Sequence, residues 1–329
     1  MQNIQAAERS PSLFFEQFVS VVGIYSSETS LLAIGRLKNS DEDYLIRYFR
    51  VKSEYFDSTV RHLERCQEIS HENIQKIQKI ITNPRLSEIC VLYNPMMTLL
   101  EEISSRKFLS EARLSTLLLQ IQAGLIAQQA YLGTQNNFID EWNVFISEGR
   151  YTLGAALPMP NSYLLLPIKE QLGLLNAAIY QSPRILAPDM RDQMVLSENQ
   201  TNSMYDVYSL GVLALRAIGM TETLENKLNS YKDRSNYQEI VAEIIDNFDK
   251  DLYRKTVLDL IGEMIGYAER PSIDRAISGL KPSKMKHDIL GLSTFHKFVN
   301  GKFIGSIGEV KGHHGKQINY FSRLFYSFE

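Results

Sequence analysis

Zinc chemistry needs His and Cys clustered at ligand spacing. His62, His71, His296, His313 and His314 are scattered, and the adjacent pair lies in a Gly-rich turn with no Cys beside it. They read as solvated loop side chains. Cys66 and Cys90 sit in apolar patterns, so buried free thiols and a reducing compartment are expected. The C-terminal stretch offers a different chemistry. Residues 281–329 hold eight Lys/Arg against three acids, net +5 in a chain of net −3. Interleaved aromatics join these cations, and Lys297, Lys302, Phe303, Lys311, Lys316, Tyr320, Phe321, Arg323 and Phe325 are the candidate partner contacts. Such a stretch either folds back on the acidic body of its own chain or clamps an acidic protein partner. It could also hold single-stranded nucleic acid, but the acidic remainder disfavours that. A disordered tail rarely carries so many aromatics, and Val299-Asn300-Gly301-Lys302 is a hairpin signal.

The elements behind these residues follow from periodicity. FVSVVGIY, SLLAIGRL and YLIRYFRV are β-branched and aromatic runs and predict three strands. YFDSTVRHLERCQEI over 55–69 predicts an amphipathic helix, and IQKIQKIIT and EICVLY predict two further strands flanking a turn. Thereafter the pattern becomes helical. Residues 115–139 carry no charge, long enough to span a bilayer. Gln120, Gln122, Gln128, Gln129, Gln135, Asn136 and Asn137 interrupt the run at a cost lipid would not offset, so it predicts a buried helix. NVFIS and RYTLGAAL suggest a hairpin. DVYSLGVLALRAIG predicts a helix opened by Asp206 as its cap, with more helix in EIVAEIIDNF, TVLDLIGEMIGY and SIDRAISGL. Met96-Met97 read as space-filling side chains. A composition of 44% hydrophobic and 22% charged residues is that of an ordinary globular protein. The opening MQNIQAAERSPS has neither the basic nor the apolar region of a signal peptide.

This order resembles the eukaryotic protein-kinase domain, through short collinear matches over roughly residues 14–280. YLIRYFR stands where the family has its third strand. ISHENIQKI is similar to the loop after the first helix, YQSPRIL to the end of the activation segment, DVYSLGVLALRAIG to the long central helix, and ERPS to a later Arg-Pro step. The resemblance implies an α+β fold with a small β-rich lobe (14–95), a large helical lobe (96–280), an N-terminal tail (1–13) and a basic aromatic extension (281–329).

It also implies catalytic parts, and most are replaced. Of the glycine-rich loop only Gly23 remains, with Tyr25 adding bulk and Glu28 a charge that opposes phosphate. Arg47 stands for the third-strand lysine, a swap that is not conservative at a tight phosphate site. His62 stands for its helix glutamate, and Glu64 faces away. The His-Arg-Asp triplet falls on Asn136-Asn137-Phe138, so Phe138, or Asn137 after a one-residue slip, occupies the base position. Asn143 keeps the loop Asn. Ala155 replaces the metal-binding Asp, leaving Asp140 and Glu141 as the nearby carboxylates. Arg184 replaces the Glu that pairs with Arg270, so either Arg184 points to solvent or Asp189 or Glu269 supplies that acid. Asp206 is retained in its structural bracing role, as is Arg270.

The resemblance with these losses implies a non-catalytic pseudokinase, a binding scaffold or structural subunit of a larger assembly. No cofactor or metal is expected, and ATP has little left to hold it. A nucleotide-binding switch without phosphotransfer is the alternative, and an atypical active kinase carries least weight. Protein partners are expected, an acidic or cytoskeletal surface among them, with no membrane, in a cytoplasmic and cytoskeleton-associated setting.

Overall fold

The structure, a computed structural model, describes residues 17–26, 29–147, 149–159, 164–168, 178–179, 204–267, 270–271, 280, 298–299 and 302–303. Within them the chain is an α+β protein with a largely antiparallel sheet and seven α-helices. The strands β1 (Phe18–Ser26), β2 (Ser30–Leu37) and β3 (Asp43–Val51) form a meander, and α1 (Phe56–Glu68) follows. Next come β4 (Lys79–Asn83) and β5 (Glu88–Tyr93). Of the expected strand IQKIQKIIT only its end is strand; Ile74 instead makes a single bridge to Leu153. Two short strands, β9 (Leu165–Leu166) and β10 (Ala178–Ile179), complete a seven-stranded sheet of order β10-β1-β2-β3-β5-β4, with β9 on β3.

Strand β3 is central and buried on both faces, which is why it reads as a continuous apolar run. Successive side chains alternate. Ile46 and Tyr48 enter one core with Leu31, Ala33, Cys90 and Leu92. Leu45 and Phe49 enter the other with Leu63, Val91, Phe138 and Ala155. Arg47 lies between Leu45 and Phe49, so the pleat aims a guanidinium into that second core.

After β6 (Met97–Thr98) the chain turns helical. Thr98 and Glu101 form a reciprocal capping box that starts α2 (Leu99–Arg106). Helix α3 (Glu111–Leu132) buries Leu114, Leu117, Leu118, Ile121, Leu125 and Gln128, and ends at Gly133. That glycine's φ of 73° is left-handed, and its N–H bonds the Gln129 carbonyl. The hairpin of β7 (Val144–Ser147) and β8 (Arg150–Leu153) packs on α3 and pairs with β6. Helices α4 (Met204–Ala217), α5 (Glu222–Asn229), α6 (Arg234–Asp246) and α7 (Lys255–Met264) then build a core on Tyr208, Leu213, Ile244 and Ile261.

Helix α4 is the expected helix with one correction. It begins two residues before Asp206, so Asp206 is a first-turn helical residue and not the cap. A further pair, β11 (Phe298–Val299) and β12 (Lys302–Phe303), is antiparallel in the register a two-residue turn requires. The expected helix in SIDRAISGL lies outside the described residues. Both cysteines are free and buried, and no helix among the described residues is long and apolar enough to cross a membrane.

Candidate functional site

Helix α3 delivers the chain at Gly133 into a loop that runs back to β7 at Val144. This loop, 134–143, lies between the sheet, through Arg47, and the helices, through Asp206. Gln135, Asn136, Asn137, Phe138, Glu141, Trp142 and Asn143 are all buried in it. A buried loop must find partners for its backbone, and here the amides and carboxylates of neighbouring elements supply them.

Asp206 does much of this. Its Oδ2 accepts the Asn136 N–H at 2.7 Å and its Oδ1 the Asn137 N–H at 2.9 Å. Burial pushes its carboxyl up to about 6, against the two N–H bonds, which favour the anion. Asn136 in turn donates from Nδ2 to Gln128 Oε1 at 2.7 Å, and accepts the Phe138 N–H on Oδ1 at 2.9 Å. Gln128 donates to the Gly154 carbonyl at 2.9 Å. Asn137, with a left-handed φ of 60° that Asn tolerates, donates to the Leu157 carbonyl at 3.1 Å. Three of the amides that made the 115–139 run unfit for lipid, Gln128, Asn136 and Asn137, are thus the inner scaffolding of this loop.

Asn143 joins both sides. Its Nδ2 donates to the Phe138 carbonyl at 2.9 Å and the Ala155 carbonyl at 2.8 Å. Its Oδ1 is buried without a partner, and a β-carbon on Gly154 would lie 2.2 Å from it. Ala155 is buried, and its N–H donates to the Tyr93 hydroxyl at 3.1 Å.

Arg47 closes the upper side. It is 2% exposed, and its two terminal nitrogens donate to Asp140 Oδ1 at 3.0 Å and Oδ2 at 2.7 Å. Its guanidinium carbon lies 4.0 Å from the centre of the Phe138 ring, which packs edge-on against Phe49. A planar fork on a carboxylate, stacked on an aromatic face, is the geometry arginine serves and lysine does not. Asp140 Oδ1 also accepts the N–H groups of Trp142 at 2.9 Å and Asn143 at 2.7 Å. Helix α1 supplies nothing to Arg47: Glu64 is exposed.

No family model matches this chain. No curated protein matches it either.

The junction brings together Arg47, Asn137, Phe138, Asn143, Ala155 and Asp206. It leaves others apart. His62 is on α1, 7% exposed, with Nε2 lacking a partner. That corrects its assignment as a solvated loop residue. Burial, and secondarily the charge of Arg65, pushes its imidazole down to about 4. Arg270 donates to the carbonyls of Gly266 and Tyr267, both at 2.8 Å, and lies over the Tyr208 ring. Gly23 is a β1 residue paired with Ala33, and Lys302 and Phe303 are in β12. Arg184, Asp189, Glu269, Glu28, Lys297, Lys311, Lys316, Tyr320, Phe321, Arg323 and Phe325 lie outside the described residues. Among the described residues no cluster of His, Cys, Asp or Glu is arranged to hold a metal.

Sequence reasoning missed the partners of the two loop carboxylates. Asp140 takes Arg47. Glu141 accepts Arg216 at 2.8 Å, and Arg216 also reaches Glu225 at 2.7 Å beside a cavity of about 190 Å³. Asp140 and Glu141 end a long uncharged run, and that abrupt return of charge was the available signal.

Proposed function

We propose that this chain is a degenerate, bilobal protein-kinase-like domain that acts by binding protein partners, as a scaffold or structural subunit, and transfers no phosphoryl group. The single observation that carries the reading is Arg47. At the position likened to the phosphate-contacting lysine stands a buried guanidinium whose terminal nitrogens are engaged by Asp140 and whose face lies on Phe138. Phosphoryl transfer is positioning and charge stabilisation. In this reading the cation that would meet phosphate is committed to a carboxylate of the chain itself.

Three further features support it. Phe138, at the base position, has no atom to accept a proton, and Asn137 spends its side chain on backbone carbonyls. Ala155 offers no carboxylate to magnesium, a cation that wants oxygen ligands. Asp206 and the amide network hold the loop rigidly, so the scaffold is kept where the chemistry is missing. The partner contact is placed, by composition, in the basic aromatic residues after 280, which suit an acidic protein surface such as a filament.

Thermal unfolding with ATP, with and without Mg²⁺, tests the reading, because a ligand bound only by the native state raises its stability. No shift is expected. A saturable rise would favour the nucleotide-binding switch.

A further inference from the structure

Asp140 sits in something that looks built for a ligand. Two guanidinium N–H groups of Arg47 and the backbone N–H groups of Trp142 and Asn143 converge on one carboxylate, at 3.0, 2.7, 2.9 and 2.7 Å. Convergent backbone N–H groups beside a fixed guanidinium make an anion receptor. The receptor's walls are dry and stiff: Arg47 is 2% exposed and Phe138 backs it. Its occupant is less enclosed, since the Asp140 side chain is 23% exposed. The carboxylate therefore lies at the solvent-facing mouth of the receptor and the cation at its floor.

We infer that the Arg47, Trp142 and Asn143 donors form an oxyanion site for which Asp140 is a tethered internal occupant, so that the chain blocks its own anion site. The ligand class is a carboxylate or phosphate group small enough to replace one aspartate side chain. The inference needs only the ion pair and the turn around it, and stands or falls independently of the kinase likeness.

Withdrawing the occupant is the test. Asp140→Ala takes the acceptor from the two Arg47 nitrogens and the Trp142 N–H, while the Asn143 N–H keeps its second bond, to the Asp140 carbonyl at 3.1 Å. Thermal unfolding would be followed in formate, acetate and inorganic phosphate, against chloride at matched ionic strength. Asp140→Ala should unfold at lower temperature than wild type in chloride. Formate should restore it saturably, by roughly 2 °C at about ten times its dissociation constant. Wild type and the double variant Arg47→Met/Asp140→Ala should show no such response. An Asp140→Ala protein no more sensitive to formate than wild type, or a double variant that responds equally, overturns the inference. If Asp140→Ala is insoluble, Asp140→Ser, which keeps one oxygen for the turn, is read in the same way. If neither folds in chloride, refolding from denaturant in formate decides: recovery in formate alone supports the site, and recovery in neither salt overturns it.

Discussion

Arg47 of β3 and Asp140 of the loop before β7 are 93 residues apart in sequence and meet in two parallel hydrogen bonds, the shorter 2.7 Å. This pair ties the sheet to the loop that Asp206 ties to the helices, so one segment of ten residues is held from both sides. Removing one member of a buried ion pair leaves the other uncompensated, which costs about 3–5 kcal/mol when both are fully enclosed. Asp140 keeps some solvent contact, so Arg47→Ala is expected to cost roughly 2–4 kcal/mol by denaturant unfolding. In a double-mutant cycle with Asp140→Ala the two losses should be clearly less than additive. Additive losses would show that the pair is not coupled.

Asp206 gives a pH signature. Its folded value of about 6 lies above its ordinary 3.8, so the fold holds this proton more tightly than the unfolded chain. The stability contributed by protonation is complete below about pH 4 and is lost as pH rises through 6. Between these limits unfolding free energy should lose on the order of 2–3 kcal/mol from this group. Asp206→Asn should be less stable throughout, because its Nδ2, a donor, replaces one of the two oxygens that each accept a backbone N–H, and should lack this decline.

His62 titrates with the opposite sign. Its folded value of about 4 lies below the ordinary 6.5, so the fold requires the neutral ring. Its contribution is complete above pH 6.5 and is lost as pH falls toward 4. His62→Phe should remove part of the acid-side loss, and the difference between variant and wild type should become independent of pH above about pH 7.

Two glycines of the loop's frame should respond differently to alanine. Gly154→Ala would drive a β-carbon to 2.2 Å from Asn143 Oδ1 and 2.8 Å from the Phe145 ring. Overpacking in so enclosed a place should cost about 2–3 kcal/mol. Gly133→Ala meets nothing within 4 Å. It suffers only the left-handed backbone, about 1 kcal/mol. Equal losses at the two positions would contradict the packing described for Asn143.

The strands were legible because their signals are local. β3 reads as a strand from YLIRYFRV alone, and the β7–β8 pair from NVFIS and RYTLGAAL. Helix α3 was legible because its apolar residues recur at helical spacing despite the amides. The site was legible only in part. Under the proposed reading Arg47, Phe138 and Ala155 stand out as replacements and Asn143 as a retained residue, but the partner of Arg47 does not. The family pattern would put that partner on α1. The actual partner is a loop residue 93 positions away; the return of charge after residues 115–139 marks Asp140, but does not say which cation it reaches. For Asp206 the local pattern gives only a helix cap, while the resemblance implies a brace for the loop backbone; its N–H partners, Asn136 and Asn137, are about 70 residues distant.

The most direct measurement of the central claim is phosphotransfer itself. Purified full-length protein would be incubated with radiolabelled ATP and Mg²⁺ or Mn²⁺, with general protein substrates and with itself as acceptor. The account predicts incorporation no higher than a sample without protein, and no change on Arg47 or Phe138 substitution. Robust incorporation that Arg47→Ala or a Phe138 substitution abolishes would contradict it.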